Sequence, residues 1–286
     1  MSDIPQDPNP ASGTPETEIE RPGRPAEYVA DISFEDMKLS EPLRRAITER
    51  GYTHPTPVQA KAFQPVMEGR DLIVRSKTGT GKTAAFGLPL LEKISPEDKH
   101  VRALILCPTR ELALQVADEL RALGQHKGIK VAAIYGGASM KQQEDALEEG
   151  TPIIVGTPGR VFDHINRGNL KLDGCDHAVL DEADEMLNQG FYEEVTRILD
   201  RLPKNRQVLL FSATVPTDIQ NLIARAGIVF GVAIELVRDE SERNPVGAIE
   251  LAQYLEQRAT KSRMPRRVRR KWRREVRPGQ VARRRT

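Results

Sequence analysis

The sequence predicts an α/β fold in which a doubly wound, mostly parallel sheet carries helices on both faces. Short apolar runs alternate with stretches of helical periodicity across residues 31–225, and a glycine-rich loop stands between the first run and a helix-forming stretch. This alternation favours parallel strands joined by helical crossovers. The apolar runs lie at residues 72–74, 103–106, 131–134, 153–155, 178–180 and 208–211, and two of the helical stretches lie at 110–123 and 191–202.

The glycine-rich loop after the first predicted strand is typical of a phosphate site. It comprises Ser76, Lys77, Thr78, Gly79, Thr80, Gly81, Lys82 and Thr83. Gly79 and Gly81 allow a tight turn whose N–H groups face an anion, and the helix N-terminus adds partial positive charge. Lys82 would reach the β/γ-phosphates and the Thr83 hydroxyl would hold Mg²⁺. The loop predicts a nucleoside-triphosphate site, with a plain turn as the alternative because the general pattern begins with Gly rather than Ser.

The run at 178–180 ends in three acids, Asp181, Glu182 and Asp184. Ligands of parallel α/β folds bind at the carboxyl ends of the strands, so these acids are expected beside the phosphate loop. Asp181 would hold the metal through water, and Glu182 would orient and deprotonate the attacking water. Three acids in four residues are also common on solvated helices. The interpretation therefore depends on the loop about 100 residues upstream.

One upstream segment and four short motifs complete the pattern. The segment covers residues 51–59 and contains Tyr52 and Gln59, with the aromatic Phe34 further upstream. A Gln amide can pair with both the N6 donor and the N7 acceptor of adenine. The motifs are Pro-Thr-Arg-Glu-Leu at 108–112, Gly-Gly at 136–137, Thr-Pro-Gly-Arg at 157–160 and Ser-Ala-Thr at 212–214. With these segments in this order, the chain resembles the DEAD-box ATP-dependent RNA helicases.

The resemblance implies a RecA-like P-loop nucleotide-binding domain at residues 31–225 that uses ATP and Mg²⁺. Tyr52, Gln59 and loop residues 76–83 would bind ATP, with Lys82, Asp181 and Glu182 catalytic and with Thr83 and Asp181 holding the metal. Thr109, Arg110, Gly137, Thr157 and Arg160 would bind the sugar–phosphate backbone of single-stranded RNA, and Asp184, Ser212 and Thr214 would couple the two sites. From the residues alone, Thr109 and Thr157 could instead be helix N-caps and the glycine pair a plain turn.

Composition narrows the class of protein. The 286 residues are 38% hydrophobic and 29% charged, and no apolar run approaches the roughly 18–20 residues that cross a membrane. Residues 1–30 are acidic and rich in Pro, which predicts a disordered segment and neither a secretory signal nor a transit peptide. Cys107 and Cys175 show no metal-ligand spacing, and neither do the five histidines. Reduced thiols favour a cytoplasmic protein.

The last part of the chain departs from the family pattern. Family helicases have a second RecA-like domain that supplies arginine fingers, from a segment that opens with His-Arg. Here 72 residues follow Thr214, against the ~150 that such a domain needs, and the last histidine is His177. The expectation is that the second domain is absent, that this chain alone is incomplete for unwinding, and that a partner chain could supply the missing domain.

Residues 226–286 are predicted to be an atypical tail, basic and disordered from residue 261. The run at 228–237 could add an edge strand or pack as a helix, and 247–257 has weak helical periodicity. Of the 43 Lys and Arg residues 13 lie in 261–286, with one of the 41 acids, so residues 1–260 carry a net charge of −10. The basic segment, which contains Trp272, could bind RNA, or it could be the unselected product of a frameshift or truncation.

Three functions follow from these patterns. The leading hypothesis is the N-terminal domain of a DEAD-box RNA helicase, which binds ATP–Mg²⁺ and the backbone of single-stranded RNA. The alternative is a non-catalytic RNA-binding or helicase-regulating module that acts through the basic tail. A DNA helicase of another superfamily branch is the third option, and Gln59 with its flanking segment argues against it.

Overall fold

The computed structural model describes residues 30–77, 79–226 and 228, and the backbone of 232–235. These residues form the predicted α/β fold. The strands are β1 (Leu72–Arg75), β2 (Ala103–Leu106), β3 (Val131–Ile134), β4 (Ile153–Gly156), β5 (His177–Leu180), β6 (Gln207–Ser212) and β7 (Val232–Glu235). The helices are α1 (Glu41–Glu49), α2 (Pro57–Met67), α3 (Lys82–Lys93), α4 (Arg110–Gly124), α5 (Met140–Glu148), α6 (Pro158–Asn166), α7 (Ala183–Asn188), α8 (Tyr192–Arg201) and α9 (Thr217–Ala226).

The strands form one sheet in the order β3–β4–β2–β5–β6–β1–β7, and each neighbouring pair is parallel. Their carboxyl ends therefore lie along one edge, called the carboxyl edge below. β6 lies between β1 and β5, so the residues that follow β6 stand between the phosphate loop and the acids. The six predicted strands are confirmed. Residues 232–235 form a parallel edge strand beside β1, one of the two alternatives that the sequence left open.

Each face of the sheet has its own apolar core. Leu72 and Val74 of β1 belong to the same buried cluster as Phe86 of α3. Ile73, which lies between them in sequence, belongs to the cluster on the other face with Val195 of α8. Burial on both faces explains why the strands read as continuous apolar runs rather than as alternating ones.

The opposite edge of the sheet, where the strands begin, contains buried polar groups. Asp71 accepts a hydrogen bond from the backbone N–H of Val208 at 2.8 Å. Burial raises the pKa of the Asp71 carboxyl to about 6, against the lowering effects of that hydrogen bond and of the Arg206 charge. The Gln207 side chain donates to the carbonyl oxygen of Arg70 at 2.6 Å. These bonds fasten the segment before β1 to the start of β6.

The predicted domain boundaries near residues 30 and 225 stay predictions. Residues 1–29 and most of the tail, including 247–257 and 261–286, lie outside the described residues. In the part of the chain that the structure describes, no helix is long and apolar enough to cross a membrane. Cys107 and Cys175 are both buried as free thiols.

Candidate active site

The phosphate loop joins the end of β1 to the start of α3. Ser76 donates its backbone N–H to the Ser212 carbonyl oxygen at 3.0 Å, which continues the sheet pairing into the loop. Gly79 and Gly81 have φ values of 79° and 88°, a region that favours glycine, and Gly81 caps α3, whose first residue is Lys82. The predicted order of strand, turn and helix is therefore present. Thr78 lies outside the described residues.

The Lys82 side chain extends to the acids that follow β5. Its Nζ lies 3.9 Å from Asp181 Oδ1 and 3.7 Å from Glu182 Oε1, and the Lys82 and Asp181 side chains are only 7% and 3% exposed. Burial raises the pKa of Asp181 to about 6, while the Lys82 charge opposes the rise. The three residues predicted to be catalytic thus meet at the carboxyl edge.

Glu182 adopts an unusual backbone conformation for a residue with a side chain. Its φ and ψ are 51° and 52°, in the left-handed region, and it directly precedes α7. Such a conformation costs on the order of 1 kcal/mol or more in a non-glycine residue and is frequent at active sites. Here it turns the chain between β5 and α7 so that the Glu182 carboxylate lies near Lys82.

The oxygen donors at this point fit a magnesium ion. Asp181 Oδ1 is buried and has no hydrogen-bond partner among the described residues, although it is close to Lys82. Thr83 lies in the first turn of α3 and offers a hydroxyl. No group of three or more His, Cys, Asp and Glu that could hold a metal occurs in the described part. Mg²⁺ bound by one or two protein oxygens, by water and by phosphate needs no such group.

The segment 51–59 contacts the phosphate loop through Gln59. Gln59 Oε1 accepts from the Thr56 backbone N–H at 2.9 Å, and Nε2 donates to the Gly81 carbonyl oxygen at 3.2 Å. A Cβ on Gly81 would lie only 2.6 Å from Gln59 Nε2. Each end of the Gln59 amide thus makes one bond within the protein and has capacity for a second, because the oxygen can accept two bonds and the NH₂ group can donate two. Adenine recognition by Gln59 stays a prediction, and it is compatible with these bonds.

Tyr52 links the same segment to α4. Its ring stacks on Phe34 with centroids 6.5 Å apart and an interplanar angle of 18°. Its hydroxyl donates to the carboxylate of Glu119, which also pairs with Arg50. Burial and Glu119 raise the pKa of the Tyr52 phenol. Stacking of Tyr52 on adenine stays a prediction, and one ring face is already covered by Phe34.

The structure brings three residues of the predicted RNA site together at the ends of β2, β3 and β4. The Arg110 guanidinium lies over the Tyr135 ring at 4.9 Å from the centroid. A Cβ on Gly137 would lie 3.7 Å from Arg110 Nη1. Arg160 Nη1 donates to the carbonyl oxygen of Ala138, which directly follows Gly137, at 3.1 Å. We call Arg110, Tyr135, Gly137 and Arg160 the RNA cluster.

The two predicted threonines occupy helix N-caps, as the alternative interpretation suggested. Thr109 Oγ1 accepts from the Leu112 backbone N–H at 3.2 Å at the start of α4. Thr157 caps α6 by position, without a side-chain hydrogen bond. A hydroxyl that accepts one bond still has a proton to donate. Capping by Thr109 is therefore compatible with a phosphate contact.

Two buried polar residues behind the RNA cluster were not assigned a role from sequence. Gln143 is 6% exposed and donates from Nε2 to the Tyr135 carbonyl oxygen at 3.0 Å. Its Oε1 lies 3.4 Å from Arg160 Nη1 and 3.2 Å from His164 Nε2. His164 is fully buried. No sequence signal marks Gln143, because a polar residue on a polar helix is usually exposed.

Asp184 is bonded to the segment that follows β6. Its Oδ2 accepts from the backbone N–H and the hydroxyl of Thr214 at 2.9 and 2.8 Å, and its backbone N–H donates to Ser212 Oγ at 3.3 Å. Burial alone would raise the pKa of Asp184, but the hydrogen bonds from Thr214 and Ser212 outweigh it and lower the pKa below its ordinary value. The three residues predicted to couple the sites are in direct contact.

Comparisons with known proteins agree with these findings. The family model described as DEAD/DEAH box helicase matches residues 56–222. The "DEAD-box ATP-dependent RNA helicase CshA" of Bacillus subtilis is 48% identical over 194 residues, which are 68% of this chain and 39% of the relative. Its counterpart of Geobacillus kaustophilus is 45% identical over 224 residues, or 78% of this chain and 47% of the relative.

Two solved structures are similar as well. A DEAD box protein from Methanococcus jannaschii gives a TM-score of 0.68 at 42% identity, over 71% of this chain and 55% of that one. A hypothetical ATP-dependent RNA helicase from Sulfolobus tokodaii gives 0.64 at 36% identity, over 69% and 57% of the two chains. The chain spans about two fifths of the length of the curated relatives that it matches.

Proposed function

Because the chain belongs to the DEAD/DEAH box helicase family, we propose that its RecA-like fold is the ATP-binding domain of an ATP-dependent RNA helicase. The observation that carries the proposal is the placement of two clusters along one edge of the sheet. Lys82 lies against Asp181 and Glu182, and the RNA cluster lies at the ends of neighbouring strands. The first supplies groups for phosphoryl transfer, and the second supplies cations for a phosphate backbone.

In this proposal, ATP binds across the phosphate loop with its adenine toward residues 51–59. The N–H groups of the loop and of the start of α3 hold the phosphates, with Ser76, Lys77, Gly79, Thr80 and Gly81 as the described residues of the turn. Lys82 exchanges its contacts with Asp181 and Glu182 for the β/γ-phosphates. Tyr52 and Gln59 bind the base, and the Gln59–Gly81 contact links that binding to the loop.

Hydrolysis then depends on the two acids that follow β5. Glu182 would orient the attacking water and take up its proton. Thr83 and Asp181 would hold Mg²⁺, which neutralises charge on the phosphoryl oxygens when bound. Asp181 Oδ1 supports this assignment, because this buried oxygen lies near the Lys82 charge but accepts no hydrogen bond from the described residues.

Single-stranded RNA would bind through its backbone at Thr109, Arg110, Gly137, Thr157 and Arg160. Arg side chains, threonine hydroxyls and glycine N–H groups bind phosphate without reading bases. The bonds between Asp184, Ser212 and Thr214 would couple the two sites, because they join the acid segment to the segment after β6.

Efficient hydrolysis in the proposed function needs further positive charge at the γ-phosphate. Arginine fingers in nucleotide hydrolases are worth about 10³ to 10⁵ in rate. We propose that a second RecA-like domain, on a partner chain or elsewhere in a longer protein, supplies them, as the length of the relatives suggests. The free buried thiols support a cytoplasmic location. The alternative module acting through the basic tail rests on residues outside the described part.

Turnover of ATP by the purified chain, with and without single-stranded RNA, tests the proposal. We expect measurable ATP–Mg²⁺ binding and slow turnover that Glu182→Gln reduces at least about a hundredfold without loss of binding, because the variant removes the base and keeps the shape. Glu185→Gln, which makes the same change at an exposed position in the first turn of α7, is the matched control and should behave as wild type. Absence of ATP binding, or turnover unchanged in Glu182→Gln, would contradict the proposal.

A further inference from the structure

Gln143 of α5 is buried beneath the RNA cluster and contacts two of its residues, Tyr135 and Arg160. Its amide N–H group holds the Tyr135 carbonyl oxygen, at the end of β3, and its amide oxygen faces Arg160 of α6. The same oxygen faces His164, one turn further along α6. A single buried side chain therefore joins the turn after β3 to the helix that carries Arg160.

The chemistry of its neighbours fixes the orientation of the Gln143 amide. A carbonyl oxygen only accepts and a guanidinium only donates, so the NH₂ group must face Tyr135 and the oxygen must face Arg160. His164 Nε2 then donates to the same oxygen, and its Nδ1 is the unprotonated nitrogen. Nδ1 is buried without a hydrogen-bond partner in the described region, which fits this assignment. The reverse orientation would set the NH₂ protons against those of Arg160.

The bonds of Arg160 leave most of its guanidinium available. Nη1 donates to Ala138 and to Gln143, and these are its bonds within the described part of the chain, so Nη2 and Nε remain for a phosphate. A flexible Arg side chain loses rotamer entropy when it binds, and a side chain already held in place loses less. Holding Arg160 beside Gly137 therefore favours a phosphate contact made by both residues together.

We propose that Gln143 is a positioning residue for RNA binding, which holds Arg160 and the turn at Tyr135–Gly137 in the arrangement that meets an RNA backbone. The inference rests on the proposed function, because it requires Arg160 to bind RNA. Gln143 itself need not contact RNA, and it acts through its hydrogen bonds to both sides of the cluster.

A titration of the full chain with a single-stranded uridine oligonucleotide tests the positioning role. The amide NMR signals of Gly136 and Gly137 report binding at the cluster separately from binding at the basic tail. Gln143→Met keeps the side-chain length and removes all three hydrogen bonds. Gln142→Met makes the same change at the exposed neighbouring residue of α5 and is the matched control. Arg160→Ala and the double variant complete a mutant cycle.

We expect Gln143→Met to weaken binding at these signals about tenfold, because Arg160 would no longer be held in place for its charge-assisted hydrogen bond to phosphate. The slope of log affinity against log salt should decrease by about 0.7, the value for one phosphate contact to a single strand, as in Arg160→Ala. The double variant should bind no more weakly than Arg160→Ala. The ATP affinity of Gln143→Met should match that of the wild type. The RNA affinity of Gln142→Met should also match that of the wild type.

Wild-type affinity in Gln143→Met, or additive losses in the double variant, would overturn the positioning role while Arg160→Ala still supported the RNA site. Wild-type affinity in Arg160→Ala would show that the proposed RNA site itself is wrong, and the role of Gln143 would fall with it. If Gln143→Met fails to fold, Gln143→Ala repeats the test, since it removes the same bonds without adding bulk.

Discussion

At the level of single residues, the two edges of the sheet hold buried carboxylates in different surroundings. Asp181, at the carboxyl edge, has the Lys82 charge nearby, and its Oδ1 has no hydrogen-bond partner among the residues that the structure describes. Asp71, at the opposite edge, accepts a backbone N–H and lies near Arg206. Burial raises the pKa of each to about 6. In the proposed function a bound metal ion would offset the cost of burying the Asp181 carboxylate. Asp71 has no role in ligand binding in that function.

Replacing Asp71 with Asn should stabilise the protein at neutral pH. A carboxyl whose folded pKa lies above its unfolded value of 3.8 binds more protons when folded, so folding stability falls as pH rises from about 4 to 6. Asp71→Asn removes this loss and keeps an oxygen for the Val208 N–H. We expect a gain in the free energy of unfolding of about 1–3 kcal/mol at pH 7 and almost none at pH 4.

Urea unfolding of both chains between pH 4 and 7.5 measures this difference. Asp173→Asn, which makes the same change at an exposed position, is the matched control and should show no comparable pH dependence. A gain of the same size at pH 4 as at pH 7, or a loss at pH 7, would contradict the assignment of a raised pKa to Asp71.

At the level of elements, the N-caps of α4 and α6 both lie at the carboxyl edge of the sheet. The two caps differ, because the Thr109 side chain bonds to the backbone of α4 whereas Thr157 makes no such bond in α6. Each helix also carries an Arg of the RNA cluster, Arg110 at the first position of α4 and Arg160 in the first turn of α6. Replacement of Thr109 therefore removes a side-chain cap bond, whereas replacement of Thr157 does not.

Thr109→Ala should lower the free energy of unfolding by about 1 kcal/mol, since it leaves the Leu112 N–H without its partner. Thr109→Ser should restore most of the loss because serine keeps the hydroxyl oxygen. Thr157→Ala is the comparison at the other helix, where we expect less than about 0.5 kcal/mol. Chemical denaturation of the three variants measures these values. Equal losses at Thr109 and Thr157 would contradict the difference between the caps.

The α4 helix also connects the two proposed binding regions. Glu119, near its middle, holds Tyr52 of the 51–59 segment, and Arg110 at its start belongs to the RNA cluster. Sequence spacing gave no sign of the Tyr52–Glu119 contact, because 67 residues separate the partners. The same is true of the Gln143 bonds, and the left-handed conformation of Glu182 has no local signal either. Contacts of this kind depend on how elements meet, whereas strands and loops follow from local pattern.

At the level of the whole molecule, local pattern was sufficient for the architecture. The six apolar runs became strands because each is bounded by turn residues and is buried on both faces. The motifs meet at one edge because parallel strands share a direction, so their order in sequence already implied a common site. The run at 228–237 stayed ambiguous because a short apolar run fits a strand or a helix, and only pairing with β1 distinguishes them.

Deleting residues 261–286 should separate the two sources of RNA affinity. The 13 Lys and Arg residues of this segment are expected to bind RNA non-specifically and with strong salt dependence. We expect the deletion to reduce overall RNA affinity and the salt slope while ATP binding and the response of the Gly136 and Gly137 signals to RNA remain. Loss of that response would instead favour the alternative module, in which the tail carries all RNA binding.

The contact of Lys82 with two carboxylates has a consequence for which form of nucleotide the domain accepts. One positive charge stands against two negative ones within 4 Å, so the local balance is negative. In the proposed function, an uncomplexed nucleotide would bring further negative charge to this point, whereas a nucleotide that carries a divalent cation would bring the positive charge that both carboxylates lack. We therefore expect the cation to favour nucleotide binding at this point before any bond is broken.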